Sequence, residues 1–70
     1  MKLSARNVLK GKVVKVVKGA VNSEVIIEMP SGEKLVSIIT NTSVTALKLK
    51  KGKDAYAVIK ASNIMVAVDE

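Results

Sequence analysis

Apolar residues in this chain fall into short runs of alternating or nearly alternating character, separated by turn residues. Leu9 to Lys18 carries two valine pairs and predicts a strand, yet neither face is purely apolar. Val13, Lys15 and Val17 share one face, and Val14, Val16 and Lys18 share the other. Gly11 predicts a bulge or tight bend early in that strand. Gly19-Ala20-Val21-Asn22 then reads as a turn. Glu24 to Met29 alternates well, with Val25, Ile27 and Met29 opposite Glu24, Ile26 and Glu28, and predicts a second strand. Pro30-Ser31-Gly32-Glu33 has the residues of a tight hairpin connection. Lys34 to Thr40 predicts a third strand whose two faces are both mostly apolar.

Asn41-Thr42-Ser43 breaks the strand pattern with three capping residues. Val44 to Leu49 has the spacing of a short helix, with Val44, Leu47 and, at its end, Leu49 turned inward. Lys50-Lys51-Gly52-Lys53 is an exposed turn. Asp54 to Lys60 and Ile64 to Val68 predict a fourth and a fifth strand, joined by Ala61-Ser62-Asn63. The fold class that follows is mainly all-β: a five-stranded barrel like that of the oligonucleotide/oligosaccharide-binding (OB) fold, with one short helix between strands 3 and 4. Small residues such as Ala55 and Ala57 suit a tight barrel interior. Several strands are apolar on both faces, more than one small barrel hides, and the surplus points to a subunit interface.

Composition narrows the function. Seventy residues make a single domain, 1–70, and a chain of this size buries only about 60% of its unfolded surface. With no cysteine and no histidine, neither a disulfide nor a zinc site reinforces it, which leaves oligomerisation. No apolar run approaches the roughly 18 residues that span a bilayer. Met-Lys-Leu-Ser lacks the apolar core of a signal peptide. These features predict a soluble cytoplasmic protein with no membrane partner.

The net charge of +6 invites a nucleic-acid partner. Single-strand binders stack bases on aromatic side chains, however, and Tyr56 is the only aromatic residue. Nucleic acid is therefore the alternative reading and not the leading one. The lack of histidine and cysteine, together with six scattered carboxylates, removes the usual acids, bases and nucleophiles. No metal-type cluster and no phosphate loop is present. The sequence predicts a binding protein and not an enzyme.

Three polar clusters interrupt the apolar pattern, each beside a strand end. Ser4-Ala5-Arg6-Asn7 holds the only arginine among 12 basic residues. Guanidinium offers a rigid fork of donors that matches oxyanions. If this segment is extended, Ser4 and Arg6 lie on one face. Thr40-Asn41-Thr42-Ser43 closes a strand and opens a helix, where free N–H groups and hydroxyls attract anions. Lys60-Ala61-Ser62 places a lysine and a serine on one face if extended. Taken singly, these are an ordinary terminus, an ordinary N-cap and an ordinary turn. Together they supply donors and no carboxylate, which suits a compact dianion without saying which.

The same residues carry a family resemblance. Ser4-Ala5-Arg6-Asn7-Val8-Leu9-Lys10-Gly11 resembles the SARN-x-L-x-G opening of the molbindin (Mop) family. Val17 to Val25 resembles its G-x-V-x-x-E-V segment, and Ile39-Thr40-Asn41-Thr42-Ser43 its I-T-x-x-S motif. Leu49 to Gly52 with Ala57-Val58-Ile59-Lys60-Ala61-Ser62 resembles its close. Four motifs in order cover nearly the whole chain. The resemblance implies an OB-like domain in a homohexamer, a trimer of dimers, that binds molybdate or tungstate for intracellular molybdenum storage or homeostasis. It implies oxyanion sites between subunits, built from Ser4, Ala5 (backbone), Arg6, Lys60, Ala61 (backbone) and Ser62 of one chain and Thr40 and Ser43 of a neighbour. A second oxyanion site is implied around Lys18, Gly19, Ala20 and Val21. No metal ion is bound directly; molybdenum or tungsten enters only as its oxyanion. A chain of this length is expected to carry no DNA-binding or ATPase module.

Overall fold

The computed structural model describes residues 2–69. Four antiparallel strands form one sheet in the order β3-β2-β1-β4. They are β1 (Asn7–Lys18), β2 (Asn22–Glu28), β3 (Lys34–Thr40) and β4 (Asp54–Ile59). A short helix, α1 (Asn41–Ala46), lies between β3 and β4, and a 3-10 turn (Ala61–Asn63) follows β4. The sheet curls so that its two edge strands face each other. Leu35, Val36 and Ser37 of β3 and Tyr56 to Ile59 of β4 line a shared groove of about 330 Å³. The result is a half-barrel with an open seam.

The described residues form four strands and not the expected five-stranded barrel. Ile64 to Val68 forms no strand, because no strand edge within the same chain is laid against it. Met65, Val66 and Val68 are 93%, 88% and 82% exposed. The helix correction is smaller. α1 begins at Asn41 because Thr40 is its N-cap, with Oγ1 accepting from the Ser43 N–H at 3.1 Å. It ends in a paired C-cap: the Lys48 N–H donates to Thr45 and the Leu49 N–H to Val44. That turn, with Lys48 at φ 54°, carries Leu49 onto Val44 and the core, while Leu47 stays exposed.

β1 resolves its two mixed faces with a bulge at Val14, not at Gly11. The register runs Val13↔Ile27 and then Lys15↔Ile26, so the inward parity changes across Val14. Val13 and Val16 then both reach the core while Lys15 turns to water. Gly11 serves a different need. A Cβ there would sit 2.6 Å from the Glu28 carbonyl oxygen and 2.7 Å from Ile27 Cγ2. Gly11→Ala is therefore expected to destabilise the fold by about 1–3 kcal/mol, read as a lower denaturation midpoint at unchanged slope.

The core is small: Val13, Val25 and Ile27 are buried, with Val16, Met29, Ile39, Val44, Leu49, Ala55 and Ala57 packed against them. Ala55 and Ala57 face inward as their size predicts. The β2–β3 hairpin closes through Gly32, whose N–H donates to the Met29 carbonyl and whose φ of 100° only glycine adopts freely. In the same loop the Ser31 hydroxyl donates to Glu33, and this bond, with the backbone N–H of Glu33, holds the carboxyl below its usual range. Ser31→Ala is expected to raise the Glu33 midpoint toward an ordinary glutamate. Any stability the bond lends is present at neutral pH and lost as pH falls through the folded-state midpoint. An NMR titration of the Glu33 side chain reads this shift.

Candidate functional site

β1 separates the donor clusters into two groups at opposite ends of the molecule. At its start Asn7 pairs with Ile59 of β4. Ser4, Ala5 and Arg6, just before β1, therefore lie beside Lys60, Ala61 and Ser62, just after β4. At its end Lys18 pairs with Ser23, and the preceding residue of β2, Asn22, pairs with Thr40. Thr40 and Ser43 thus stand with the Lys18–Val21 turn at the far end. The eleven steps between its twelve residues, at about 3.3 Å each, make about 36 Å of strand between the groups. The whole chain is 40 Å in its longest dimension. Arg6 and Thr40 of one chain do not share a site.

In the first group the Asn7 side chain donates to the Ile59 carbonyl at 3.2 Å and pins the two strand ends together. Two expectations fail locally. The chain bends at Ser4 and Arg6, so period-two alternation does not set their common face. Ala61–Asn63 coils into a 3-10 turn, with the Asn63 N–H donating to the Lys60 carbonyl at 2.9 Å, so Lys60 and Ser62 are not related as in a strand. The grouping survives because β-pairing sets it. Ala5 is half-buried and the other five residues are exposed. Among the described residues the only ion pair is Lys12–Asp54, at 3.9 Å and well exposed. Among the described residues no carboxylate therefore neutralises the charge of Arg6 or Lys60.

In the second group the Thr40 hydroxyl donates to Ser43 Oγ at 2.8 Å while capping α1. The Lys18–Val21 turn closes with the Gly19 N–H on the Asn22 carbonyl at 2.9 Å. Among the described residues no group of three or more His, Cys, Asp or Glu comes together to hold a metal ion. A cleft of about 350 Å³ near the middle of β1 mixes Lys10 and Lys12 with Glu28 and Asp54, and lies apart from both groups. The donor groups suit an anion; the cleft, with both signs of charge, does not.

A family model described as the TOBE domain matches residues 3–66. The chain is 49% identical to a probable molybdenum-pterin-binding protein of Haemophilus influenzae, over 99% of this chain and 100% of that one. The chain belongs to the molbindin family of TOBE-domain proteins.

The molbindin fold is matched in solved structures. A molybdate-binding protein from Sporomusa ovata has a TM-score of 0.92 at 37% identity, covering 97% of this chain and 100% of that one. The cytoplasmic molybdate-binding protein ModG, in a form with molybdate bound, has a TM-score of 0.90 at 46% identity, over 93% of this chain and 46% of that one. In this molbindin two residues outside the predicted donor set organise the two groups. Asn7 ties Ser4–Arg6 to Lys60–Ser62, and Asn41 ties the Lys18–Val21 turn to Thr40 and Ser43. Their signal in the sequence is only an asparagine inside each of two polar clusters.

Proposed function

We propose that this chain binds molybdate or tungstate at interfaces between copies of itself and serves molybdenum storage or homeostasis in the cytoplasm. The observation that carries the reading is the separation of the two donor groups along β1. A site drawing on Arg6, Lys60, Thr40 and Ser43 together needs two chains. The names of its molbindin relatives support molybdate as the ligand, and the description of ModG as cytoplasmic supports the location. No helix of the described residues is long and apolar enough to cross a membrane.

The assembly in this reading is a hexamer, a trimer of dimers. The Ile64–Val68 segment of one copy enters the seam of another and completes its fifth strand. Five residues at about 3.3 Å span about 16 Å, which fits the six residues of β4 and seven of β3 that flank the seam. Each edge strand offers unpaired N–H and C=O groups. The dianion exchanges water for the guanidinium, the ammonium, hydroxyls and backbone N–H groups from both chains. Binding and assembly are then thermodynamically linked. A second oxyanion site lies at the Lys18–Val21 turn. The chain binds its ligand without transforming it.

Isothermal titration with molybdate and tungstate, with sulfate as control, tests the proposal. Saturable binding of the two heavier oxyanions with little response to sulfate supports it. No heat from either sinks it, and single-stranded oligonucleotides at two salt concentrations are then the titrants to use.

A further inference from the structure

Ser23 is the one buried polar side chain among the described residues, 2% exposed, and its hydroxyl donates to Asn41 Oδ1 at 2.5 Å. Asn41 also reaches back to the turn by two further bonds. Nδ2 donates to the Gly19 carbonyl at 2.9 Å, and the backbone N–H donates to the Val21 carbonyl at 2.8 Å. One residue thus holds two carbonyls of the Lys18–Val21 turn and is itself anchored to the edge of the core. Gly19 admits no side chain, because a Cβ there would lie 2.6 Å from the Asn22 carbonyl oxygen.

The chemical consequence concerns which groups the turn presents. A site for a dianion must offer donors and withhold acceptors, since carbonyl oxygens repel it. Asn41 occupies the Gly19 and Val21 carbonyls. Among the described residues, the N–H groups of Ala20 and Val21 take no backbone acceptor and stay available. Freed from Asn41, the Gly19 carbonyl is at liberty to rotate toward the ligand space.

We propose that Asn41 is a positioning residue that keeps the Lys18–Val21 turn donor-rich and so sets the oxyanion affinity of that turn. The proposal rests on the reading of this chain as a molybdate binder with a site at the turn. It adds a device in which a residue inside the Thr40–Ser43 segment governs the neighbouring turn.

The test compares the native chain, Ser23→Ala and the double variant Ser23→Ala/Asn41→Ala by titration with sodium molybdate. Ser23→Ala leaves Asn41 free to hold Gly19. The double variant releases the Gly19 carbonyl, keeps the backbone bond from residue 41 to Val21, and leaves no buried hydroxyl unpartnered. The expected result is two classes of site in the native chain and in Ser23→Ala. In the double variant the turn class weakens about fivefold or more while the class containing Arg6 keeps its affinity. Amide exchange on the ligand-free proteins gives a second readout: the Gly19 amide, which donates to the Asn22 carbonyl, should lose protection only in the double variant. Equal affinities in both classes with unchanged exchange at Gly19 overturn the role of Asn41. A native chain with a single class, abolished by Arg6→Ala, removes the turn site and this proposal while leaving the interfacial site standing. A native chain that binds no molybdate removes both.

Discussion

Arg6→Ala and Lys60→Ala are each expected to weaken molybdate binding about tenfold or more, on the order of 1.4 kcal/mol or above. Both residues sit outside the strands, exposed, at the paired ends of β1 and β4. Neither contributes to the buried core, so the thermal midpoint of the ligand-free protein should barely move. A charge-assisted hydrogen bond to an oxyanion is worth about 1.5–3 kcal/mol net, enough to carry the predicted loss. Arg6→Lys separates charge from shape. It keeps the positive charge but replaces the planar fork by a point charge, and an intermediate loss is expected. Titration of the three variants with molybdate gives the comparison, and unchanged affinity in both alanine variants would take Arg6 and Lys60 out of the site.

The fold was legible where local chemistry decided it. Lys34 to Thr40 was bounded by a Pro-Ser-Gly turn before it and capping residues after it, and β3 occupies those residues. β1 was harder. Its two mixed faces announced an irregularity, and glycine was the natural suspect. The bulge lies at Val14 because β2 presents Val25 and Ile27 to the core and β1 must turn Val13 and Val16 to meet them. That choice depends on a partner strand and has no local signature. The donor clusters were likewise visible as motifs, whereas their division between two ends of the molecule follows only from strand register. By sequence Asn41 reads as a capping residue, because the turn that its side chain holds lies 22 positions back along the chain.

Removal of Ile64–Glu70 is expected to yield a monomer that no longer binds molybdate at the site containing Arg6. The composition of the segment predicts a strand, and within the chain it forms none. Val66 and Met65 are among the most exposed large apolar residues, and Val36, Ile38, Tyr56 and Val58 on the two edge strands are exposed with them. Full burial of each such side chain contributes about 1.5–3 kcal/mol, so one strand set into the seam is a substantial share of any dimer's stability. The truncation leaves Ser4, Ala5, Arg6, Thr40, Ser43, Lys60, Ala61 and Ser62 in place. Loss of binding would then be attributable to loss of assembly rather than of donors. Val66→Asp provides the same test without shortening the chain, since a side chain 88% exposed within the chain is not needed for its own fold. Light scattering coupled to size exclusion reads the mass, and titration reads the anion. A truncated chain that keeps both its mass multiple and its affinity would show that the seam is closed by something other than this segment.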